Sequence, residues 1–172
     1  MQPLIDADFI RYFRDLSHNV KNKVINPMIM DAQISDVRPL LGDDLFYKIV
    51  ATPQNYFELL DEFDFDTKDG NKSKSFGLKR VIAEFAYARY LFKNSDISTP
   101  NGLVQKQNEN AQNTPIDRAK ELYTDQRKTA VTYWLSVERY LIINRDTYPT
   151  FRQNLKQTVG NKTTYLKRSS WL

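Results

Sequence analysis

Four groups of residues in this chain have types and spacings that could do chemistry. The first is Asp64-Phe65-Asp66-Thr67-Lys68-Asp69-Gly70, whose repeated carboxylates look like a calcium loop. A helix–loop–helix calcium site counted from Asp64 needs glycine at its sixth position and glutamate at its twelfth. Those positions hold Asp69 and Ser75, so a solvated acidic loop is the better reading. The second is His18, in Leu16-Ser17-His18-Asn19; a catalytic dyad needs a partner that the neighbouring sequence does not name. The third is Asp43-Asp44 after Gly42, which suits the first turn of a helix better than paired acid–base work. The fourth is the aromatic set Tyr123, Tyr133, Trp134 and Tyr140. It could stack bases, but its helical spacing favours packing in a core or between subunits. No phosphate loop, dinucleotide-binding glycine pattern, nucleophile elbow or metalloprotease motif occurs. The expectation is a protein that is not an enzyme and takes no cofactor or metal. An unrecognised carboxylate site is the lesser alternative, and a deep pocket with two convergent acids would mark it.

The elements that must carry these residues read as mainly α-helical. Five glycines in 172 residues disfavour a turn-rich all-β fold. From Phe76, the apolar positions Leu78, Val81, Ile82, Phe85, Ala86 and Phe92 make one helical face ending near Asn94. Asp117 or Thr114 can cap a longer helix with a stripe of Ala119, Leu122, Tyr123, Ala130, Tyr133, Trp134, Val137, Tyr140 and Leu141, up to about Arg145. The first half holds shorter helices. One is capped by Asp8 and runs through Phe9, Ile10, Phe13 and Leu16. Another begins at Asn26-Pro27 and stops after Val37, before Pro39. A third is recapped by Asp43 or Asp44 after Gly42, turning Leu45, Phe46 and Ile49 inward. A short one opens at Pro53 and runs through Tyr56, Phe57, Leu59 and Leu60, and Phe63 to Ser75 reads as a polar loop.

Two segments stand outside a plain bundle. In residues 94–113, eight of twenty side chains are Asn or Gln, and Leu103-Val104-Gln105-Lys106-Gln107 can form a strand on this chain or a neighbour. Connections of this length without structure are uncommon in compact domains and usually functional. The tail from Tyr148 reaches about 80 Å if extended. The predicted architecture is a helical bundle of about four to six helices with one long C-terminal helix. An extended (β) insert lies near 98–113 and an extended tail follows. The domain is 1–146, with the insert at 94–115, and the basic tail is 147–172.

Composition bounds the rest. Cysteine is absent and histidine occurs once, which excludes disulfides, thiolate metal sites and sites needing two imidazoles. No apolar run approaches a membrane span, and the N-terminal residues do not form a signal peptide, so a soluble, non-secreted protein is expected. The net charge of +4 conceals a split. Residues 1–70 carry 7 basic and 13 acidic side chains, and residues 71–172 carry 18 basic and 8 acidic. After Asp146 only Arg152, Lys156, Lys162, Lys167 and Arg168 are charged side chains. Such asymmetry points to different partners at the two ends.

The run Ala32-Gln33-Ile34-Ser35-Asp36-Val37-Arg38-Pro39-Leu40-Leu41-Gly42-Asp43-Asp44-Leu45-Phe46-Tyr47-Lys48-Ile49 resembles the AQ…LGxxLYxxL stretch of head–tail connector (adaptor or ring) proteins of tailed bacteriophages. The similarity is greatest to those of crAss-like Bacteroidales phages. The run from Ala130 to Leu141, with Asn144 and Tyr148-Pro149-Thr150-Phe151, is similar to that family's long helix and its YPxF exit. The insert with Gly102-Leu103-Val104 sits where such proteins have an extended segment. The resemblance implies a virion protein, assembled in the host cytoplasm, that forms a ring of twelve copies under the portal protein. It would pass on to other neck or tail connector proteins and line the path of packaged DNA, with no catalysis and no membrane. Candidate interface residues are Leu103 and Val104 in the insert and Arg152, Lys156, Lys162, Lys167, Arg168 and Trp171 in the tail. The alternative is a nucleic-acid-binding protein using the basic C-terminal half. Five phosphate contacts from the tail would then give a log–log salt slope of about −4.5.

Overall fold

Antiparallel packing of two long helices organises the chain. The computed structural model describes residues 1–93, 96–99, 102–105, 116–152, 158–159 and 162–163. In chain order the elements begin with α1 (Ala7–Phe13) and α2 (Asn22–Asp31), which continues through a π-helical turn (Ala32–Val37) into α3 (Arg38–Leu41). α4 (Asp43–Ala51) follows, then a 3-10 turn (Pro53–Tyr56) leading into α5 (Phe57–Leu60). A hairpin of β1 (Phe63–Asp66) and β2 (Lys72–Ser75) precedes α6 (Gly77–Lys93). β3 (Asp96–Thr99) and β4 (Gly102–Gln105) then precede α7 (Ile116–Ile143), and β5 (Thr158–Val159) and β6 (Lys162–Thr163) close the order. The fold is therefore mainly α, a helical bundle with a strand insert.

α6 and α7 arise where the apolar spacing is most regular. Leu78, Val81, Ile82 and Phe85 of α6 are buried, as are Ala130, Trp134, Val137 and Leu141 of α7. Ile10, Ile25, Ile29, Val37, Leu41, Leu45, Phe46 and Ile49 from the first half join the same core. Each of the Val, Leu, Ile and Phe side chains contributes roughly 1.5–3 kcal/mol when fully buried. The insert is a two-stranded antiparallel hairpin in which Ile97 pairs with Val104. The tail strands pair in the same way, Thr158 with Thr163.

Tertiary packing overrides local signals at several places. Asp6, not Asp8, caps α1: its Oδ1 accepts the Phe9 amide at 2.9 Å, while Asp8 pairs with Arg11 at 2.6 Å. α1 also ends at Phe13, and Leu16 is buried beyond it. α2 starts four residues before Asn26, with Pro27 inside it. The bond that Pro27 cannot donate is offset by complete or near-complete burial of Ile25 and Ile29 on the same helix. Nor does the helical run stop before Pro39. The π-helical turn lets the Arg38 amide reach back five residues to the Gln33 carbonyl. That wider turn makes room for a proline ring that would strike a carbonyl in a regular α-helix. Gly42 does break the run, at φ +86°, and it is itself the N-cap of α4, with Asp43 and Asp44 inside the first turn.

The segment Phe63–Ser75 is a hairpin and not a polar loop. Phe63 and Phe65 alternate with Asp64 and Asp66, and both rings pack on Tyr140, with centroids 4.7 and 5.2 Å away. Its turn uses Gly70 at φ +74°. The calcium-like carboxylates serve the hairpin: Lys72 holds Asp66 at 2.7 Å across the strands. Lys74 reaches Glu62 at 2.5 Å.

Candidate functional site

The exit of α7 is built from residues far apart in the chain. Asn144 ends the helix by donating from Nδ2 to the Tyr140 carbonyl at 3.0 Å. Tyr148 and Phe151 then turn back into the core. Tyr148 and Phe151, which follow residue 146, thus pack in the same core as the helices. Arg152 adopts φ +52°, a left-handed conformation that costs a non-glycine residue about 1–2 kcal/mol.

Five contacts hold Arg152 there. Its amide donates to the Leu41 carbonyl at 3.2 Å and its Nε to the Leu40 carbonyl at 3.0 Å. A terminal guanidinium nitrogen lies 2.6 Å from Glu138, and the group sits 5.8 Å above Trp134 and 5.1 Å above Phe151. Leu40 and Leu41 end α3, where a helix leaves its last carbonyls without intrahelical partners and carries partial negative charge. Arg152 therefore caps, from the far end of the chain, the helix that Gly42 breaks. A Cβ on Gly42 would meet the Arg152 backbone at 3.4 Å, an ordinary van der Waals contact, so glycine is needed here for its φ of +86°. A depression lined by Asp44, Tyr47, Lys48, Ala51 and Thr150 adjoins this latch.

Beside it, the Tyr140 hydroxyl donates to Glu58 at 2.9 Å, and the Tyr140 and Tyr148 rings stand 6.0 Å apart. Burial, then the bond to Glu58 and the contact with Tyr148, push the Tyr140 phenol well above its ordinary value. Burial also raises Tyr148. A phenol whose folded pKa is raised keeps its proton in the fold after the unfolded chain has lost it. Stability from this pair is present below about pH 10, the usual phenol value, and falls as pH rises beyond it. Thermal melts followed by circular dichroism from pH 8 to 11 should show this decline, made shallower by Tyr140→Phe. An identical decline in both proteins would remove Tyr140 from the account.

A second constellation is internal and charged. The Glu84 carboxylate is completely buried and accepts from Arg14 and Arg80, each at 2.7 Å, and from Gln126. Asp36, also buried, receives Arg89 at 2.8 Å on one oxygen and Arg127 at 2.8 Å on the other. Burial opposes the charge on Arg14 and Arg127, but Glu84 and Asp36 outweigh it and raise both pKa values. Phe13 and Tyr133 flank the Arg80 guanidinium at 3.7 and 4.9 Å. Both acids accept charge-assisted bonds on both oxygens, so their chemistry is to join α1, the π-helical turn, α6 and α7.

The candidate interface residues separate in the fold. Leu103 and Val104 lie on β4 and Lys162 on β6, as strand positions of two different hairpins. Lys156, Lys167, Arg168 and Trp171 lie outside the described residues. Arg152 is bound within the chain to Glu138 and to the end of α3, with 33% of its side chain accessible. His18 is exposed beyond α1. Sequence reasoning missed Asp36, Glu84 and Gln126. Glu84 was the most legible, since it follows Val81 by three residues on an otherwise apolar helical face.

The charge split is largely stitched up by folding. Acids of the first 70 residues meet bases of the rest in Lys72–Asp66, Lys74–Glu62, Lys79–Asp61, Arg89–Asp36, Lys93–Asp31 and Arg127–Asp36. Among the described residues, no group of three or more acidic, histidine or cysteine side chains is placed to hold a metal, and no helix is long and apolar enough to cross a membrane. Residues 37–161 match a family model described as a family of unknown function, DUF6712. No curated protein and no solved structure matches the chain.

Proposed function

We propose that this chain, which belongs to the DUF6712 family, is a structural protein of the phage neck. It forms a ring, of twelve copies by its resemblance to head–tail connectors, that joins the portal protein to the next connector or tail component and surrounds the DNA path. The observation that carries the reading is the Arg152 latch. The two segments on which the resemblance rests are about 110 residues apart in sequence, yet Arg152, the residue after Phe151, binds the Leu40 and Leu41 carbonyls of the other. In this chain the first segment and the residue that follows the second are therefore joined directly. That contact anchors Arg152, directly before the segment to which the resemblance assigns a reaching role. The hairpin of β3 and β4 interrupts the α6–α7 pair and gives a second reaching segment.

The alternative, nucleic-acid binding by the basic C-terminal half, has fewer free cations than the sequence promised. Arg80, Arg89, Arg127 and Arg152 are committed to Glu84, Asp36 and Glu138. A symmetric reconstruction of assembled particles tests the neck reading. The expected result is a ring of this fold at the portal–tail junction, and particles whose junction lacks it would end the proposal.

A further inference from the structure

β5 and β6 set a register for the rest of the tail. Thr158 pairs with Thr163 and Val159 with Lys162. Between them Gly160-Asn161 is a two-residue loop with glycine first, the composition of a type II′ hairpin turn. Residues 153–157 lead from Arg152 to β5, and residues 164–168 lead on from β6, two arms of equal length. Carried outward at the same register, Gln157 faces Thr164, Lys156 faces Tyr165 and Leu155 faces Leu166. Leu155 and Leu166 are the only aliphatic residues of the two arms, and the register sets them directly opposite each other. Arg168 then faces Gln153, next to the anchored Arg152.

Arg168 is followed by Ser169-Ser170-Trp171-Leu172. Trp171 is three residues further on, about 10 Å of extended chain. Thr150 is two residues back from Arg152, and it lines the depression shared by Asp44, Tyr47, Lys48 and Ala51. Tyr47 is 48% exposed there, and Ala51 is exposed as well. We infer that residues 153–168 form one hairpin folded back toward the body of the same chain, and that Trp171 seats in this depression against Tyr47. The equal arms and the facing leucines select the occupant, because they return the large apolar side chain of the tail to the point where the tail began. An indole has a broad apolar body and one polar N–H. The lining suits it, with the Tyr47 ring and Ala51 beside the polar Lys48 and Thr150. The seated tail projects about 25 Å at its turn, where an extended one reaches about 80 Å. It also closes the depression to any other segment, so the contact is a clasp within one chain. The inference does not rest on the neck reading.

The chain has no cysteine, so introduced thiols report the geometry directly. Under mild oxidation at micromolar concentration, full-length K48C/S170C should form a disulfide within one chain. S17C/S170C, with its first thiol between α1 and α2, should not. Adding W171A to K48C/S170C should slow the closure about tenfold or more. Tryptophan emission gives a second readout, since the chain has only two tryptophans and Trp134 is buried. Iodide should quench neither indole freely in the unaltered chain, and Y47A should make one of them freely quenchable. Tyr47 and Lys48 are exposed on α4, and unchanged circular dichroism verifies the fold. A freely quenchable indole in the unaltered chain overturns the inference, as does closure indifferent to W171A. A disulfide that joins two chains in place of one also overturns it, since the occupant would then be the tail of a second copy.

Discussion

Glu84→Ala is expected to remove about 3–5 kcal/mol of stability, the cost of breaking a buried ion pair from one side. Whole domains have only about 5–15 kcal/mol. The carboxylate is fully buried, whereas Arg14 and Arg80 keep 26% and 14% of their side chains accessible. Water can therefore recover part of the loss at Arg14, which favours the lower end of the range. Arg80 cannot turn away easily, because its guanidinium is held between Phe13 and Tyr133. Gln126 also loses its acceptor. Urea denaturation followed by circular dichroism measures the difference. A loss under about 1 kcal/mol would mean that the cluster is wetter than its geometry implies.

Gly77→Ala is the second large effect, and its cause is steric. Gly77 opens α6 at φ +75°, and a Cβ there would lie 2.5 Å from the Asp61 and Leu60 carbonyl oxygens. Both atoms are backbone at the end of α5, so relief requires moving a helix and not a side chain. Left-handed strain of about 1–2 kcal/mol and an overpacking cost of about 1–3 kcal/mol add to roughly 2–5 kcal/mol. Gly70→Ala is the internal control. It has nearly the same φ, +74°, with nothing within 4 Å of the added carbon, so it should show the conformational cost alone. Equal urea midpoints for the two variants would refute the clash.

The legible parts of this protein are those in which one stretch of chain determines its own state. α6 and α7 repeat an apolar face often enough that periodicity fixes them, and Gly42 breaks the helix because it alone takes φ +86° cheaply. The β1–β2 hairpin was written locally too, in Phe63-Asp64-Phe65-Asp66 and Asp69-Gly70, but its charges read as a loop. Pro39 misled because the rule for it assumes a regular α-helix, which the π-helical turn before it is not, and Pro27 misled because the burial of Ile25 and Ile29 offsets its one missing bond. The latch and the charged clusters were illegible for another reason. Arg14 meets Glu84 across 70 residues, Arg127 meets Asp36 across 91, and Arg152 meets Leu40 across 112. No local pattern announces such pairs, and an arginine in a basic segment looks solvated until its partner is known. Arg152 is the clearest case, a cation of the basic segment that also caps α3.

The place of the β3–β4 hairpin has a consequence for what the fold tolerates. α6 and α7 lie side by side from Phe76 against Ser136 to Phe92 against Tyr123, so their association is secured along both arms. Loop-closure entropy grows only with the logarithm of length, about 0.6 kcal/mol for each doubling. Shortening or enlarging the connection severalfold therefore changes the stability of the helix pair by little more than a single surface substitution does. The folding of the body places almost no limit on the length or content of residues 94–115. Relatives can diverge there without endangering the core, and the connection is the natural position at which to graft a foreign segment onto this chain.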